Sequence, residues 1–323
     1  MCKVIGIDIS KASFDVSYEK SSGNFHHEKF SNDLGGFKSF RKLLLADDHC
    51  VMEASGPYYL KLAHFLFKEQ IRVSVVNPLQ IKHFVRMRMI KAKTDKKDAQ
   101  MISLYGKIEQ PDLWVPGDKL INSLQHINTA IEGLHKQASI LNNQLEAFKQ
   151  VPDLDKELIK LLRALLRSVK AKISKLEDRM AEITLAHYRD TFLALKSIPG
   201  IGDKTAMMLI AITNNFSKFN SSKKLSAYVG LTPRIFESGT SVKGKGHITK
   251  MGNRHLRKLL YMCAWSAKHH NQQCIQMYER LREKGKPEKV IKIAIANKLL
   301  RQAYAIGSAN SKYQKNYEKE FVF

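Results

Sequence analysis

The sequence is poor in cysteine and contains no long apolar run. Four cysteines occur among 323 residues, none of them in a CxxC pair: Cys2, Cys50, Cys263 and Cys274. This usage argues against a disulfide framework or a zinc site and is typical of reduced thiols in a cytoplasm. No apolar stretch approaches the roughly 18 residues of a spanning helix, and charged residues interrupt the N-terminus where a signal peptide would be apolar. We therefore expect no membrane-spanning segment.

Acidic residues are scarce relative to basic ones. The chain has 54 lysines and arginines against 30 aspartates and glutamates, and the resulting formal charge of +24 is spread along its length. Such an excess favours a polyanionic partner, and nucleic acid is the usual one. An anionic membrane surface is the competing interpretation.

The first hundred residues have the pattern of an α/β domain. Three strands are predicted over residues 3–32. Short apolar strands at 49–54 and 73–76 then alternate with helical segments at 37–45 and 58–67. An opening three-strand meander followed by alternating strands and helices describes an RNase H-like α/β layout.

Four acidic residues fall at the ends of these elements. Asp8 ends the first apolar strand, and Glu53 ends a later one. Asp95 and Asp98 follow Thr94, a good N-cap, at a spacing that places both carboxylates on one helix face. Taken singly, each acid has a simpler explanation, a strand-end cap or a solvated helix start. Taken together and in this order, they predict a carboxylate cluster for two divalent metal ions of the kind used in phosphoryl transfer.

A proline- and glycine-containing linker at 111–118 precedes the first of two long helices. Apolar residues recur at alternating steps of four and three over residues 120–148. This spacing predicts a heptad seam sustained over four heptads, hence a coiled coil or a long helical hairpin.

The second long helix follows a break at 151–153. Its apolar series runs over residues 158–183 and includes Leu165, with a stutter between Leu165 and Ile173. An antiparallel hairpin within one chain and an oligomerisation arm both satisfy this pattern.

A glycine-containing turn joins two predicted helices at 197–206 (SIPGIGDKTA). The sequence is typical of the hairpin in a helix-hairpin-helix module. There Gly200 and Gly202 allow close backbone approach to a phosphate, and Lys204 lies beside them. The simpler interpretation is a tight turn between helices. In a protein of charge +24 we favour the phosphate interpretation, which predicts sequence-neutral contact with a nucleic-acid backbone.

The segment 236–246 (FESGTSVKGKG) is rich in hydroxyl groups and small residues, and it precedes a helix predicted to start at Asn253. The basic residues of this stretch are candidate nucleic-acid ligands: Lys243, Lys245, Lys250, Arg254 and Arg257. From the residue types alone, an ordinary DNA-contact loop is at least as good an interpretation as a site of phosphoryl transfer to serine.

Five motifs, in order, resemble those of one family. GIDISK (with Asp8), MEASGPY (with Glu53) and KTDKKDA (with Asp95 and Asp98) resemble the N-terminal half of the DEDD transposases of the one-ten/eleven-eleven group of insertion sequences. Piv-type DNA invertases are relatives of that group. SIPGIGDKTA and AYVGLTPRIFESGTSVKGKGHITKMGNRHLR resemble its C-terminal transposase domain. The likeness extends over most of the chain.

The resemblance implies a multidomain protein of α/β and α parts. An RNase H/RuvC-like DEDD metal-binding domain is expected at 1–110 and a long helical coiled-coil arm at 111–190. A mostly helical C-terminal transposase domain, with the helix-hairpin-helix and a serine loop, is expected at 191–323.

In the chemistry that the resemblance implies, the four acids hold Mg²⁺, with two ions expected. Ser241 is the nucleophile that makes a covalent phosphoserine link to DNA; it is preferred to Ser238 and Thr240 on the motif match. Serine is a weak nucleophile and needs activation. Metal ions held by carboxylates can polarise the phosphate and stabilise developing charge.

The resemblance also implies the partners. These are donor and target DNA, a noncoding guide RNA encoded beside the gene, and further copies of the chain in a dimer or tetramer. The expected location is the bacterial cytoplasm, in association with the nucleoid. Two other hypotheses stay open: a metal-dependent junction nuclease that hydrolyses with water, and a nucleic-acid-binding protein without catalytic activity.

Overall fold

The structure is a computed structural model that describes residues 3–89, 94–234 and 247–315, together with the backbone at 237–238 and 242–243. The chain divides into two compact units, the first ending at Pro116 and the second beginning at Gly117. The first unit is α/β and the second is mostly helical. The predicted combination of an α/β part with a helical part is therefore confirmed, whereas domain boundaries near residues 110 and 190 stay a prediction.

The first unit is built on a five-stranded sheet in the order β3-β2-β1-β4-β5. Its strands are β1 (Val4–Ile9), β2 (Ser13–Glu19), β3 (Phe25–Ser31), β4 (His49–Glu53) and β5 (Arg72–Val76). β1, β4 and β5 are parallel, whereas β2 pairs antiparallel with both β1 and β3. The predicted meander and both later strands are present.

In the described part of the first unit, four helices accompany this sheet. They are α1 (Leu34–Arg41), α2 (Tyr59–Lys68), α3 (Pro78–Met87) and α4 (Asp95–Glu109). α1 begins before the predicted position because the Asp33 side chain accepts a hydrogen bond from the amide of Gly36 and caps it. α3 was not predicted, although Asn77 caps it and Pro78 occupies its first turn, a sequence typical of a helix start.

The two faces of the sheet are covered differently. Ile5, Ile7 and Ile9 of β1 belong to a buried cluster with apolar residues of α1 and α2. Gly6 lies on the opposite face, against α4. A Cβ on Gly6 would stand 2.1 Å from the carbonyl oxygen of Ala99, so the backbones of α4 and β1 are in direct contact. Glycine is required there because any side chain would push the helix away.

The second unit contains eight helices among the residues that the structure describes. They are α5 (Lys119–Phe148), α6 (Lys156–His187), α7 (Arg189–Lys196), α8 (Asp203–Thr213), α9 (Ser222–Val229), α10 (Arg254–His270), α11 (Gln272–Glu283) and α12 (Glu288–Ala309). Four two-residue strands lie between α9 and α10: β6 (Pro233–Arg234), β7 (Glu237–Ser238), β8 (Val242–Lys243) and β9 (His247–Ile248). One apolar cluster extends from Ile121 of α5 to Ala303 of α12, so the long helices and the C-terminal helices share a core.

The two long helices, α5 and α6, pack along each other as a hairpin, and the predicted seam on α5 is present. On α6 one predicted seam position is wrong: Leu165 is 50% exposed, whereas its neighbour Leu166 is 8% exposed. Leu166, Val169 and Ile173 follow at steps of three and four, so the series needs no stutter. The sequence offers two adjacent leucines, and the rotation of the helix against its partner decides between them. A coiled coil that joins several chains stays a prediction.

Within the described ranges, no helix is both long and apolar enough to cross a membrane. The described cysteines, Cys50, Cys263 and Cys274, carry free thiols.

Candidate active site

A row of charged residues crosses four strands on the face of the sheet that α4 covers. Asp8 of β1 pairs with Asp15 of β2, and Asp15 pairs with Lys29 of β3. Glu53 of β4 follows Met52, the partner of Ile7, and therefore lies level with Asp8. Directly opposed residues on neighbouring strands point to the same face, so the sheet register brings two predicted acids together with two residues that were not predicted.

Helix α4 brings the other two predicted acids to this row. Gly6 packs on Ala99, and the hydroxyl of Ser103, further along the helix, donates to the carbonyl of Val4 at 2.8 Å. The helix therefore runs antiparallel to β1, and its N-terminus lies at the end of β1 where Asp8 stands. Asp98 lies one residue before Ala99, partly buried, and Asp95 is exposed in the same first turn. The cap predicted at Thr94 is present, since its hydroxyl accepts from the amide of Lys97 at 3.2 Å.

The electrostatics of Asp8 show that these acids act on one another. Burial is the largest influence, followed by the negative charges of Asp98, Asp95, Glu53 and Asp15, and together they raise the pKa of Asp8 from 3.8 to about 6. Each carboxylate disfavours the ionised form of its neighbour. A cluster of this kind is stabilised when a cation enters it, and a strongly shifted carboxyl group marks a functional-site candidate.

Glu53 is oriented by its own turn. The hydroxyl of Ser55 donates to Oε1 of Glu53, and the amide of Ser55 donates to the Glu53 carbonyl at 2.9 Å. These bonds hold the Glu53 side chain at the edge of the cluster.

The donor set fits magnesium chemically, because all four predicted ligands are carboxylates and Mg²⁺ prefers hard oxygen donors. As the side chains are placed, however, no three acidic, histidine or cysteine residues in the described part of the chain converge closely enough to hold a metal ion. The side chain of Asp95 is exposed and that of Glu53 is partly exposed, so both have room to rotate toward Asp8. Metal binding by these acids stays a prediction.

Asp15 is the acid that sequence reasoning missed. It is 5% exposed, and its carboxylate contacts Nε2 of His27 at 2.8 Å and Nζ of Lys29 at 3.4 Å. The available signal was its position in the strand SFDVSYE, where an aspartate occupies a site with buried neighbours on both sides. A buried carboxylate needs partners, and the partners come from the next strand, which the local sequence does not reveal.

The glycines of the predicted helix-hairpin-helix have different roles. Gly200 has a positive φ of 104°, and a Cβ on it would stand 2.7 Å from the Cβ of Ala267 in α10, so it serves packing within the unit. Gly202 is exposed, caps α8 and has open space around its α-carbon. Of the two, only Gly202 is placed as the phosphate interpretation requires.

Lys204, the predicted cation of this turn, is engaged by a neighbouring helix. Its Nζ donates to Oε1 of Glu177 in α6 at 2.6 Å. Asp203 adds a further acid in the first turn of α8, paired with Lys196 at 2.6 Å. Glu177 therefore offsets the charge of Lys204 at this turn, and the role of the turn in binding nucleic acid stays a prediction.

The hydroxyl-rich segment lies within a short antiparallel ribbon that is formed by two strand pairs. β6 pairs with β9, and β7 pairs with β8, in which Ser238 faces Val242. Ser241, the predicted nucleophile, lies outside the described residues, as do Thr240 and Lys245. For Lys243 the backbone of β8 is described and the side chain is not.

The base of this ribbon is anchored on α9. Lys250 donates its amide to the carbonyl of Gly230 at 3.2 Å and leaves its side chain exposed. Arg257 is partly structural, because its Nη1 donates to the carbonyl of Val229 at 2.7 Å. Arg254, at the start of α10, is exposed. Lys250 and Arg254 are thus the predicted cations in this region whose described side chains reach solvent.

An α/β unit with clustered carboxylates, followed by a helical unit in a chain of charge +24, is the combination expected of an enzyme that acts on nucleic acid. Comparison with known proteins gives the family. Residues 5–151 match the family model of IS110-type DEDD transposases, described as a transposase. Residues 193–279 match the model described as the transposase IS116/IS110/IS902 family.

Individual relatives agree with both matches. The pilin gene-inverting protein of Moraxella lacunata is 32% identical over 321 residues, which cover 96% of this chain and 97% of that protein. The transposase for insertion sequence element IS1111A of Coxiella burnetii is 27% identical over 284 residues, covering 80% of this chain and 76% of that protein. The chain belongs to the IS110/IS116 family of insertion-sequence transposases, and it is an enzyme that acts on DNA.

Proposed function

We propose that this transposase cuts and rejoins DNA through a covalent link between Ser241 and a DNA phosphate, with Mg²⁺ held by its acidic cluster. The observation that carries the proposal is the placement of Asp8, Glu53, Asp95 and Asp98 around one edge of the sheet, where burial and then the negative charges of the neighbouring acids raise the pKa of Asp8 to about 6. A divalent cation among these carboxylates would relieve their repulsion, and a phosphodiester can be activated beside it.

The fold supports the same proposal. We infer that the first unit is an RNase H/RuvC-like domain, because three antiparallel-paired strands precede two parallel ones and α4 returns across the sheet to deliver its acids. Magnesium would supply Lewis-acid stabilisation of charge on the phosphate oxygens. The protein would orient the ligands: β1 and β4 fix Asp8 and Glu53, and the capped first turn of α4 fixes Asp95 and Asp98.

Ser241 remains the nucleophile on the motif match. In such a step the serine oxygen attacks a backbone phosphorus, a deoxyribose oxygen leaves with a proton, and a second deoxyribose hydroxyl later displaces the serine. The number of phosphodiester bonds is conserved, so rejoining needs no nucleotide cofactor. A relative named for gene inversion fits such conservative strand exchange.

A guide RNA and a dimer or tetramer complete the proposal, on family resemblance. The chain's formal charge of +24 suits simultaneous contact with RNA and DNA. Exposed apolar residues on α6, among them Leu161 at 60% and Leu165 at 50%, suit contact with a further copy of the chain. The guide RNA is tested by sequencing the nucleic acid that copurifies with the protein. Recovery of random cellular RNA, with no species from the flanks of the element, would contradict it.

The central experiment uses end-labelled DNA that carries the element's junction, incubated with the protein, its flanking RNA and Mg²⁺, and resolved on denaturing gels. The wild type should give a protein–DNA adduct that protease converts to free DNA. Ser241→Ala should give no adduct, and Ser238→Ala, the matched control, should retain it. Asp8→Asn should abolish strand breakage.

A junction nuclease that hydrolyses DNA with water would use the same acids. It predicts that Ser241→Ala cuts as well as the wild type and that neither forms an adduct. Strand breakage that survives Asp8→Asn would contradict both metal-dependent proposals.

A further inference from the structure

Asp15 of β2 and Lys29 of β3 connect these two strands to the acidic cluster. Asp15 is almost completely buried, and both oxygens of its carboxylate are engaged. Oδ1 lies 2.8 Å from Nε2 of His27, and Oδ2 lies 3.4 Å from Nζ of Lys29. Because its two oxygens are occupied by partners on β3, Asp15 is placed as an anchor and not as a metal ligand.

Lys29 extends from this anchor to a predicted metal ligand. Its Nζ lies 4.0 Å from Oδ2 of Asp95, in the first turn of α4. The Lys29 side chain is 55% exposed and that of Asp95 is 71% exposed. A pair this exposed contributes little to stability by itself. The position of Lys29 is informative, because it ends the row of charged residues that runs from Glu53 through Asp8 and Asp15.

The buried partner distinguishes Lys29 from an ordinary surface lysine. A free lysine loses considerable rotamer entropy when it is held in one place. Here a carboxylate that is itself fixed by His27 and by burial restrains the ammonium group beside the first turn of α4. The result is a cation held beside a cluster of acids that repel one another.

We infer that Lys29 is a built-in counter-ion of the acidic cluster, positioned by Asp15, and that it lowers the affinity of the cluster for divalent cations by competing for Asp95. The inference rests on the proposed function, in which the cluster binds metal. Lys29 is accordingly a positioning residue: it acts on the metal through Asp95 and is not itself a ligand.

Calorimetric titration of the full-length protein with Mn²⁺, without DNA or RNA, tests this role. Lys29→Gln removes the competing charge and should tighten Mn²⁺ binding by about 3- to 10-fold, the effect of one charge several ångströms from a divalent ion in a largely solvated site. Lys29→Arg keeps the charge and should bind Mn²⁺ as the wild type does.

Lys107→Gln is the matched control. Lys107 lies on the same helix as Asp95, at the other end, and forms an exposed ion pair with Glu19 at 2.8 Å. Its replacement removes one positive charge from the same unit at a distance from the cluster. Affinity should therefore change by less than about twofold, since exposed charges beyond a Debye length are screened.

Asp15→Asn tests the anchor. If Asp15 holds Lys29 in place, the effect of Lys29→Gln on Mn²⁺ affinity should shrink when it is measured in the Asp15→Asn background, because neighbouring residues that act together are not additive. An undiminished effect would show that Asp15 does not position Lys29. Thermal unfolding curves of each variant establish that the comparison is made between folded proteins.

The outcomes separate this inference from the proposed function. If the wild type binds Mn²⁺, Asp8→Asn does not, and Lys29→Gln leaves the affinity unchanged or weakens it, the counter-ion role is refuted while the metal site stands. If the wild type itself binds no Mn²⁺, or Asp8→Asn binds it equally well, the metal-site proposal fails and the inference fails with it.

Discussion

Gly6 and Ala99 are in backbone contact, and this contact sets the distance between the strand that carries Asp8 and the helix that carries Asp95 and Asp98. A methyl group on Gly6 would lie 2.1 Å from the carbonyl oxygen of Ala99 and 2.2 Å from the amide nitrogen of Ser103. Both obstacles are backbone atoms of α4 and cannot be relieved by rotating a side chain. The acidic cluster therefore depends on a residue that carries no charge.

Gly6→Ala should displace α4, lower the stability of the first unit by about 3 kcal/mol, and abolish strand breakage. Gly133→Ala is the control, since nothing lies within 4 Å of a Cβ at that helical position. It should be neutral or stabilise by about 0.5–1 kcal/mol, because alanine is the better helix former. Urea unfolding and the gel assay measure the two effects. Full activity in folded Gly6→Ala would contradict the described contact.

Asp8→Asn should stabilise the protein at neutral pH when no divalent ion is present. The pKa of Asp8 is raised to about 6 in the folded protein from 3.8, foremost by burial and then by neighbouring carboxylates. Because the folded pKa is the higher one, ionised Asp8 is destabilising above about pH 6, and this cost disappears as the pH falls below about 4. The gain in urea midpoint should therefore be present near pH 7.5 and absent near pH 4.

Asp33→Asn should change stability in the opposite direction to Asp8→Asn. The pKa of Asp33 is lowered, mainly by the hydrogen bond from the Gly36 amide, so ionised Asp33 stabilises the fold above its unfolded pKa. The substitution should cause a small loss of stability near pH 7.5. A gain for Asp33→Asn, or none for Asp8→Asn, would contradict the described electrostatics.

Leu165 and Leu166 should differ in their effect on stability although they are neighbours of the same type. Leu166 is buried in the hairpin and Leu165 is half exposed. Leu166→Ala should cost about 2–3 kcal/mol, whereas Leu165→Ala should stay within about 0.5 kcal/mol. Urea unfolding measures the free energy of unfolding of both variants, at low protein concentration so that association between chains is weak. A larger loss of stability for Leu165→Ala than for Leu166→Ala would instead support the seam predicted from sequence.

Alanine substitutions at Gly200 and Gly202 should distinguish a glycine that is needed for packing from one that is needed for phosphate contact. Gly200→Ala meets both a positive φ and the side chain of Ala267, and it should cost about 1–3 kcal/mol. Gly202→Ala has open space and a negative φ, and should leave stability nearly unchanged. If Gly202→Ala still weakens DNA binding in a gel-shift assay, the phosphate interpretation gains direct support; unchanged affinity would count against it.

The predicted cations should not contribute equally to DNA binding. Lys204 is offset by Glu177, whereas Arg254 is exposed at the start of α10. Arg254→Gln should therefore reduce DNA affinity, and the steepness of its salt dependence, more than Lys204→Gln does. Fluorescence anisotropy over a salt series measures both quantities. Equal losses would mean that the Lys204–Glu177 pair opens when DNA binds.

Local sequence patterns were sufficient to predict most strands and helices of this protein. Alternating and apolar runs identified all five strands of the sheet, and the heptad series identified both long helices, because these patterns report which face of an element is buried. Thr94 predicted the start of α4 for a similarly local reason: its side chain satisfies an amide three residues away. The four acids were recognisable because each stands at the end of an element.

Tertiary structure decided what local pattern does not encode. Asp15 and Lys29 join the acids only through strand register, and the choice of Leu166 over Leu165 depends on how α6 is rotated against α5. Gly200 packs on Ala267, which follows it by 67 residues. The sequence alone determined the elements, the acids and the family resemblance, since these depend on residue type and spacing. Which residues become neighbours was settled by packing, since it depends on contacts between segments that are distant in the chain.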